Sequence, residues 1–248
     1  MTTTLKTDWN ETLVALLHSR AVDAPPTFLE MAEAIQRATM RQLADRIGSN
    51  PCHPHLIFLS GPSGAGKGTI VQTLLSQYGF SLLTRHTTRP LGPGETDGKQ
   101  YLHITENKFQ SMFSNGEFVG TPRNRYGQWR GLCRSNLHKA LSGGRWVMEG
   151  SAKTPLDLLQ DADSKISQAT WISIFVLPPT FEELEKRLRS RNRETDGEEF
   201  IARLSMSIKH LKEALTVQHV DRPTVDAFIV NQTDQSEIAA QTIASLLS

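Results

Sequence analysis

The chain has 248 residues, enough for one good hydrophobic core and an appendage, since domains usually run to about 100–200 residues. Its 27 Lys and Arg against 26 Asp and Glu leave a formal net charge of +1, so no global field points to nucleic acid or to a membrane surface, and any anion site must be local. Two cysteines, Cys52 and Cys133, stand far apart without a CxxC pair, which argues against a zinc cluster and a disulfide framework and fits a reducing compartment. No apolar run approaches the roughly 20 residues that span a bilayer, and the opening "MTTTLKTDWNETLVALLHSR" lacks a basic stretch followed by a long apolar one. The expectation is a soluble cytoplasmic protein with no nucleic-acid and no membrane partner.

Residues 1–55 read as a helical extension ending in a linker. Thr27 to Glu30 has the spacing of a capping box, and Phe28, Met31, Ile35, Met40, Leu43 and Ile47 follow at helical intervals until Gly48. Together with Leu13, Leu16 and Leu17 they form an apolar stripe that suits packing on the main domain or on another subunit. Control of a moving segment and docking of a partner stay open as alternatives. "GSNPCHPH" is the linker, because two prolines and a glycine in eight residues leave little regular structure. His53 and His55 beside Cys52 belong to it.

From Leu56 short apolar runs alternate with longer amphipathic ones, which predicts an α/β domain over residues 56–248, a parallel sheet flanked by helices. "LIFLS" is the first strand and "TIVQTLLSQYG" the helix after it. "RWVME" and "ISIFVL" are further strands, "TFEELEKRLRSR" is a helix capped at Thr180, "DAFIV" is the last strand, and "SEIAAQTIASLL" the closing helix.

Between the first strand and helix stands "LSGPSGAGKGT". Gly61, Ser63, Gly64, Ala65, Gly66 and Lys67 satisfy the pattern GxxxxGK in the context a phosphate-binding loop requires. Glycines let backbone N–H groups turn inward around phosphate oxygens, the helix N-terminus adds positive potential, and Lys67 reaches the transferred phosphoryl group. Gly68 occupies the position where Ser or Thr commonly meets Mg²⁺, and Thr69 follows it. The loop implies ATP with Mg²⁺, and GKGT loops of this kind are familiar among nucleoside monophosphate kinases.

Downstream, "HTTRPLGPGETDGKQYLHITENKFQSMFSNGEF" resembles the nucleotide-monophosphate-binding region of guanylate kinases, TTRxxRxGExxGxxYxF, through Thr87, Thr88, Arg89, Gly94, Glu95, Gly98 and Tyr101. "RNRYGQ" is similar to that family's GNxYGT segment, "RLRSRNRETDGEEFIARL" to its lid, and "FIVNQ" to its late IVND stretch. The resemblance covers about Leu56 to Ser248 and implies a P-loop kinase fold with a nucleotide-monophosphate region near 84–130 and a lid near 187–205. It assigns Arg89, Tyr101 and Tyr126 to the acceptor phosphate, Arg191 and Arg203 to the donor phosphates under a closing lid, and Arg187 and Asn231 to the donor adenine side. It implies transfer of the ATP γ-phosphate to a small phosphorylated acceptor, GMP first. Monomer and homodimer both stay open.

The acceptor pocket departs from that pattern. The family's base-reading carboxylate falls at or near Gly120, and Gln128 stands where Ser or Thr follows YG. Glu149 matches the first acid of the family's LDID strand end, while Ser151 replaces the second. Gln128 is expected to donate to the guanine carbonyl, and Glu117 or Glu149 to serve the base, with Glu149 also a candidate for a water-mediated metal contact. Gly92 takes the place of the second arginine, Arg85 replaces a small residue, and Arg123, Arg125, Arg130 and Arg134 add a basic cluster that serves either the substrate or an exposed loop. Two other readings remain: a kinase of a smaller or more charged acceptor such as ribose 1,5-bisphosphate, and a catalytically silent binding module.

Overall fold

The computed structural model describes residues 2–19, 27–48, 54–92, 96–99, 101–120, 122–125, 127–167, 169–190, 197–216, 218–219, 222–223 and 225–247. Helices α1 (Thr2–Ser19) and α2 (Phe28–Gly48) come first. The expected capping box opens α2: the Glu30 N–H donates to Thr27 Oγ1 at 3.3 Å, and the Thr27 N–H to Glu30 Oε2 at 3.2 Å. Cys52 and His53 lie outside the described residues, while His55 Nδ1 lies 3.2 Å from the main-chain oxygen of Gly144 and so anchors the end of the linker.

Strand β1 (Leu56–Ser60) runs through the glycine-rich loop into α3 (Lys67–Gln77), which starts two residues earlier than the sequence suggests because Gly66, at φ 88°, turns the chain directly into the helix. After β2 (Ser81–Leu82) comes a small subdomain: β3 (Arg85–Thr87), β4 (Tyr101–His103), α4 (Glu106–Ser114), β5 (Arg123–Arg125) and β6 (Gln128–Gly131). The chain then returns through α5 (Arg134–Leu141), β7 (Trp146–Glu149), α6 (Thr154–Leu159), α7 (Ser164–Ser167) and β8 (Trp171–Leu177). Helices α8 (Phe181–Ser190) and α9 (Glu198–Thr216) follow, then a two-stranded ribbon of β9 (Gln218–His219) and β10 (Arg222–Pro223). Strand β11 (Ala227–Val230) and helix α10 (Ser236–Ser245) complete the described elements.

The main sheet has the order β11-β8-β1-β7-β2 and is parallel throughout. Every residue of β1, β8 and β11 is buried, which is why these strands read as unbroken apolar runs rather than as alternation. One face presents Ile57, Leu59, Ile174 and Ile229 to Ile70 and Leu74 of α3 and Ile243 of α10. The other presents Phe58 and Trp171 to Leu137 of α5, and Phe175 and Phe228 to Leu184 of α8 and Leu204 of α9. Since β1 is central, with later strands added on both of its sides, its carboxyl end is a topological switch point, where open α/β sheets hold their ligands.

The N-terminal helices pack on this sheet. In β11 the N–H groups of Phe228 and Val230 point away from β8, and α2 satisfies both, with Thr39 Oγ1 at 3.0 Å and Gln36 Oε1 at 2.6 Å. Arg46 pairs with the buried Asp226 at 2.5 Å, whose other carboxylate oxygen accepts the Ser173 N–H at 2.7 Å. Helix α1 buries Trp9 and Leu13 in one cluster with Phe181 and Leu184 of α8 and with Phe200, Leu204, Ile208 and Leu211 of α9. Ion pairs at its rim tie Asp8 to Lys212 of α9 at 2.6 Å and Lys6 to Glu182 of α8. No helix among the described residues is long and apolar enough to cross a membrane.

Candidate active site

The glycine-rich loop leaves β1 at the switch point and is shaped by what surrounds it. Gly61 has φ 138°, and a Cβ there would stand 2.4 Å from the Val176 main-chain oxygen. A Cβ on Gly66 would stand 2.1 Å from Asn231 Nδ2, which donates to the Ala65 oxygen at 2.8 Å. The loop therefore admits only glycine at both points, and Asn231 holds its curvature from below. Lys67 folds back over it, donating from Nζ to the oxygens of Gly61 at 3.0 Å and Pro62 at 2.9 Å. Ser63, Gly68 and Thr69 are exposed at the mouth, and no side chain caps the first turn of α3, so its N–H groups face the cleft.

Beside the loop, Arg187 donates from Nε to Glu183 Oε1 at 2.8 Å and from Nη2 to the Asn231 main-chain oxygen at 3.2 Å. Burial alone would raise the Glu183 carboxyl, but hydrogen bonds from Arg187 and Thr233 outweigh it and hold the group below the ordinary range. Arg187 Nη1 and Asn231 Oδ1 are buried without a hydrogen-bond partner, and Nη1 lies 3.8 Å from the Cβ position of Gly66. An unsatisfied donor and an unsatisfied acceptor beside an open loop fit a bound nucleoside triphosphate, whose base offers both kinds of partner. Glu149, at the end of β7, places Oε1 3.9 Å from the Cβ position of Gly68, so a carboxylate and the Thr69 hydroxyl supply the hard oxygens that Mg²⁺ prefers.

The small sheet has the order β4-β3-β6-β5, and one of its faces gathers arginines. Arg85 is in register with Tyr101, and Thr87 with both His103 and Arg130, so strand alternation puts Arg85, Thr87, Tyr101, His103, Gln128 and Arg130 on the same face. The opposite face carries His86 and Trp129 against Phe118 and Phe109 of the α4 cluster. Around the Tyr101 ring stand three guanidiniums, those of Arg85 and Arg89 at 5.7 Å from its centroid and that of Arg130 at 5.3 Å. Thr87 and Thr88 are scaffold: Thr87 Oγ1 donates to the Trp129 oxygen at 3.0 Å, and Thr88 Oγ1 accepts the Trp129 N–H at 2.9 Å. His103 Nδ1 lies 2.7 Å from the Arg89 oxygen and fixes the chain where Arg89 leaves the strand.

The basic cluster divides. Arg134 does not join the cleft: it grips Asp161 with Nη1 at 2.6 Å and Nη2 at 3.1 Å and reaches the Phe118 oxygen at 3.2 Å. Arg130 does face the cleft, and the side chains of Arg123 and Arg125 lie outside the described residues, as do Tyr126 and Arg191, the latter expected in a lid. Glu117 stays at the end of α4, where its Oε1 accepts from Asn115 Nδ2 at 3.4 Å. Arg203 sits in the second turn of α9, its main-chain oxygen accepting from Ser207. Helices α8 and α9 are joined where the Arg189 guanidinium lies 4.1 Å from the Phe200 ring centroid.

A guanylate kinase family model matches residues 53–233. The chain belongs to the guanylate kinase family. It is 37% identical over 198 residues to a guanylate kinase of Nostoc sp., covering 78% of this chain and 89% of that protein. It is 33% identical over 206 residues to one of Thiobacillus denitrificans, covering 79% and 87%. The crystal structure of a guanylate kinase from Anaplasma phagocytophilum superposes with a TM-score of 0.52 at 22% identity, over 79% of this chain and 85% of that one, and shares the P-loop kinase fold. Helices α1 and α2 precede the span that the guanylate kinase family model matches.

Proposed function

We propose that this chain transfers the γ-phosphate of ATP to GMP as a cytoplasmic nucleoside monophosphate kinase. One observation carries the reading: Arg85 Nη2 donates to the Glu149 main-chain oxygen at 3.2 Å, so the arginine-lined face of the small sheet meets the strand end that carries the carboxylate beside Gly68. The phosphate loop and the anion face are thus the two walls of one cleft, as transfer between two phosphates requires.

In this reading the loop Gly61 to Thr69 holds the donor phosphates through its N–H groups from Ser63 onward and Lys67, with Arg187 and Asn231 on the adenine side. Glu149 and Thr69 would hold Mg²⁺, which when bound would supply charge neutralisation on the donor phosphates. Arg89 and Tyr101, with Tyr126, hold the acceptor phosphate, while Gln128 lies on the same face for the base. Arg191 and Arg203 close over the transferring group and exclude water, which otherwise competes as acceptor.

A second reading, phosphorylation of a smaller and more charged acceptor such as ribose 1,5-bisphosphate, is favoured by the three guanidiniums around Tyr101. The deciding experiment is ADP release from ATP with Mg²⁺ against GMP, dGMP, AMP, CMP, UMP and ribose 1,5-bisphosphate, with Lys67→Ala as the blank. Preference for GMP supports the first reading; turnover of ribose 1,5-bisphosphate alone replaces it with the second.

A further inference from the structure

We propose that Arg130 is a direct ligand of the acceptor's phosphate, a role outside the motif residues that this chain shares with the family. The inference rests on the small sheet's arginine face being the acceptor site of the phosphotransfer proposed above.

A phosphate monoester carries close to two negative charges near neutral pH, and two forked guanidiniums are a fitting complement. The segment after Thr88 supplies one, Arg89, because Gly92 has no side chain. Arg85 spends one nitrogen on the main-chain oxygen of Glu149. Arg130 is held differently. Its guanidinium lies 5.3 Å from the Tyr101 centroid, its Nε is buried with no hydrogen-bond partner, and no carboxylate among the described residues pairs with it. Arg134, four residues on, shows the contrast, since Asp161 already takes both of its terminal nitrogens.

The register explains how Arg130 arrives there. It is directly opposite Thr87 on β3, so its Cβ leaves the sheet on the side of Arg85 and Tyr101. Three like charges gathered around one ring repel one another, and an anion seated among them removes that repulsion. The chemistry recognised is the phosphate monoester itself, common to GMP and to a sugar phosphate.

The test uses the full chain with Arg130→Gln and Arg130→Lys. For Arg130→Gln the acceptor KM should rise roughly tenfold to a hundredfold, with the ATP KM unchanged within about twofold. Arg130→Lys should recover part of the loss, because it restores the charge without the fork. Binding of inorganic phosphate, titrated with the donor loop filled by a non-hydrolysable ATP analogue, should weaken in step. Wild-type turnover of GMP with an unchanged acceptor KM in Arg130→Gln overturns this inference and leaves the proposed function standing. No wild-type turnover of GMP, together with weakened phosphate binding in Arg130→Gln, overturns the GMP reading and keeps Arg130 as an anion ligand. Equal rises in both KM values with a lowered melting temperature show a structural role and overturn the inference.

Discussion

Gly66 and Asn231 occupy one another's space so closely that a single added carbon on Gly66 would stand 2.1 Å from Asn231 Nδ2. The amide that intrudes there is the one that holds the Ala65 oxygen, so a late strand end and the phosphate loop are one mechanical unit. Gly66→Ala should therefore displace Asn231 and force a left-handed φ on alanine, at a cost of about 1–3 kcal/mol. Chemical denaturation together with binding of an ATP analogue checks it; a variant with wild-type stability and wild-type donor affinity would show that the two residues are not coupled.

Lys67→Ala should leave the fold intact and lower kcat by at least about a hundredfold, the scale on which a charged group acting on a transferring phosphoryl group contributes. Its Nζ lies over the loop on the main-chain oxygens of Gly61 and Pro62 rather than in a hydrophobic cluster, so its loss removes little packing. Circular dichroism and a melting curve beside the turnover assay separate the two effects. Normal turnover in a well-folded variant would falsify the donor assignment.

Arg89→Ala is expected to act on the acceptor. It should raise the acceptor KM by roughly tenfold or more while sparing the ATP KM. An acceptor KM that does not move takes Arg89 out of that site.

The strands of the main sheet and the phosphate loop are legible in the sequence because burial on both faces of a parallel sheet writes an unbroken apolar run, as in "LIFLS", and because a loop around phosphate needs glycines at fixed spacing. The small sheet is harder to read. Strands β3, β4 and β5 have three residues each and β6, which carries Arg130, has four, too few for alternation to declare itself, so Arg130 and Arg134 look alike in sequence. In space one stands near a strand end facing the cleft, and the other opens a helix with a carboxylate partner. Gln36 and Thr39 are also opaque. They read as the polar face of an amphipathic helix, and only their long-range contacts with β11 give them a task.

The His86 imidazole sits between Phe118 and the small sheet, and burial lowers its pKa from the ordinary 6.5, Glu117 opposing and Lys108 assisting. A group harder to protonate in the folded state than in the unfolded one favours folding fully above its ordinary value. Between 6.5 and the lowered value the unfolded chain binds more protons, so stability should fall as pH drops through that window. Urea midpoints of the wild type should decline as pH is lowered through 6.5, and His86→Phe should flatten that part of the curve. An unchanged slope in the variant would assign the loss to other groups.

Helix α2 completes the edge of the main sheet. A parallel edge strand carries N–H groups that need partners, and α2 supplies them to β11 through Thr39 and Gln36. Replacing both by apolar residues of similar size, Thr39→Val and Gln36→Leu, leaves two N–H groups without acceptors at a cost of about 1–3 kcal/mol each. Removing residues 1–55 does more, since it also uncovers Phe228, Leu184 and Leu204, which share a cluster with Trp9 and Leu13. The truncated chain should lose solubility and melt lower, whereas the double variant should stay soluble and melt between it and the wild type. Should the truncated chain match the wild type in melting and activity, the N-terminal helices would be an attachment rather than part of the sheet's support, and their sequence would then have to answer to a partner.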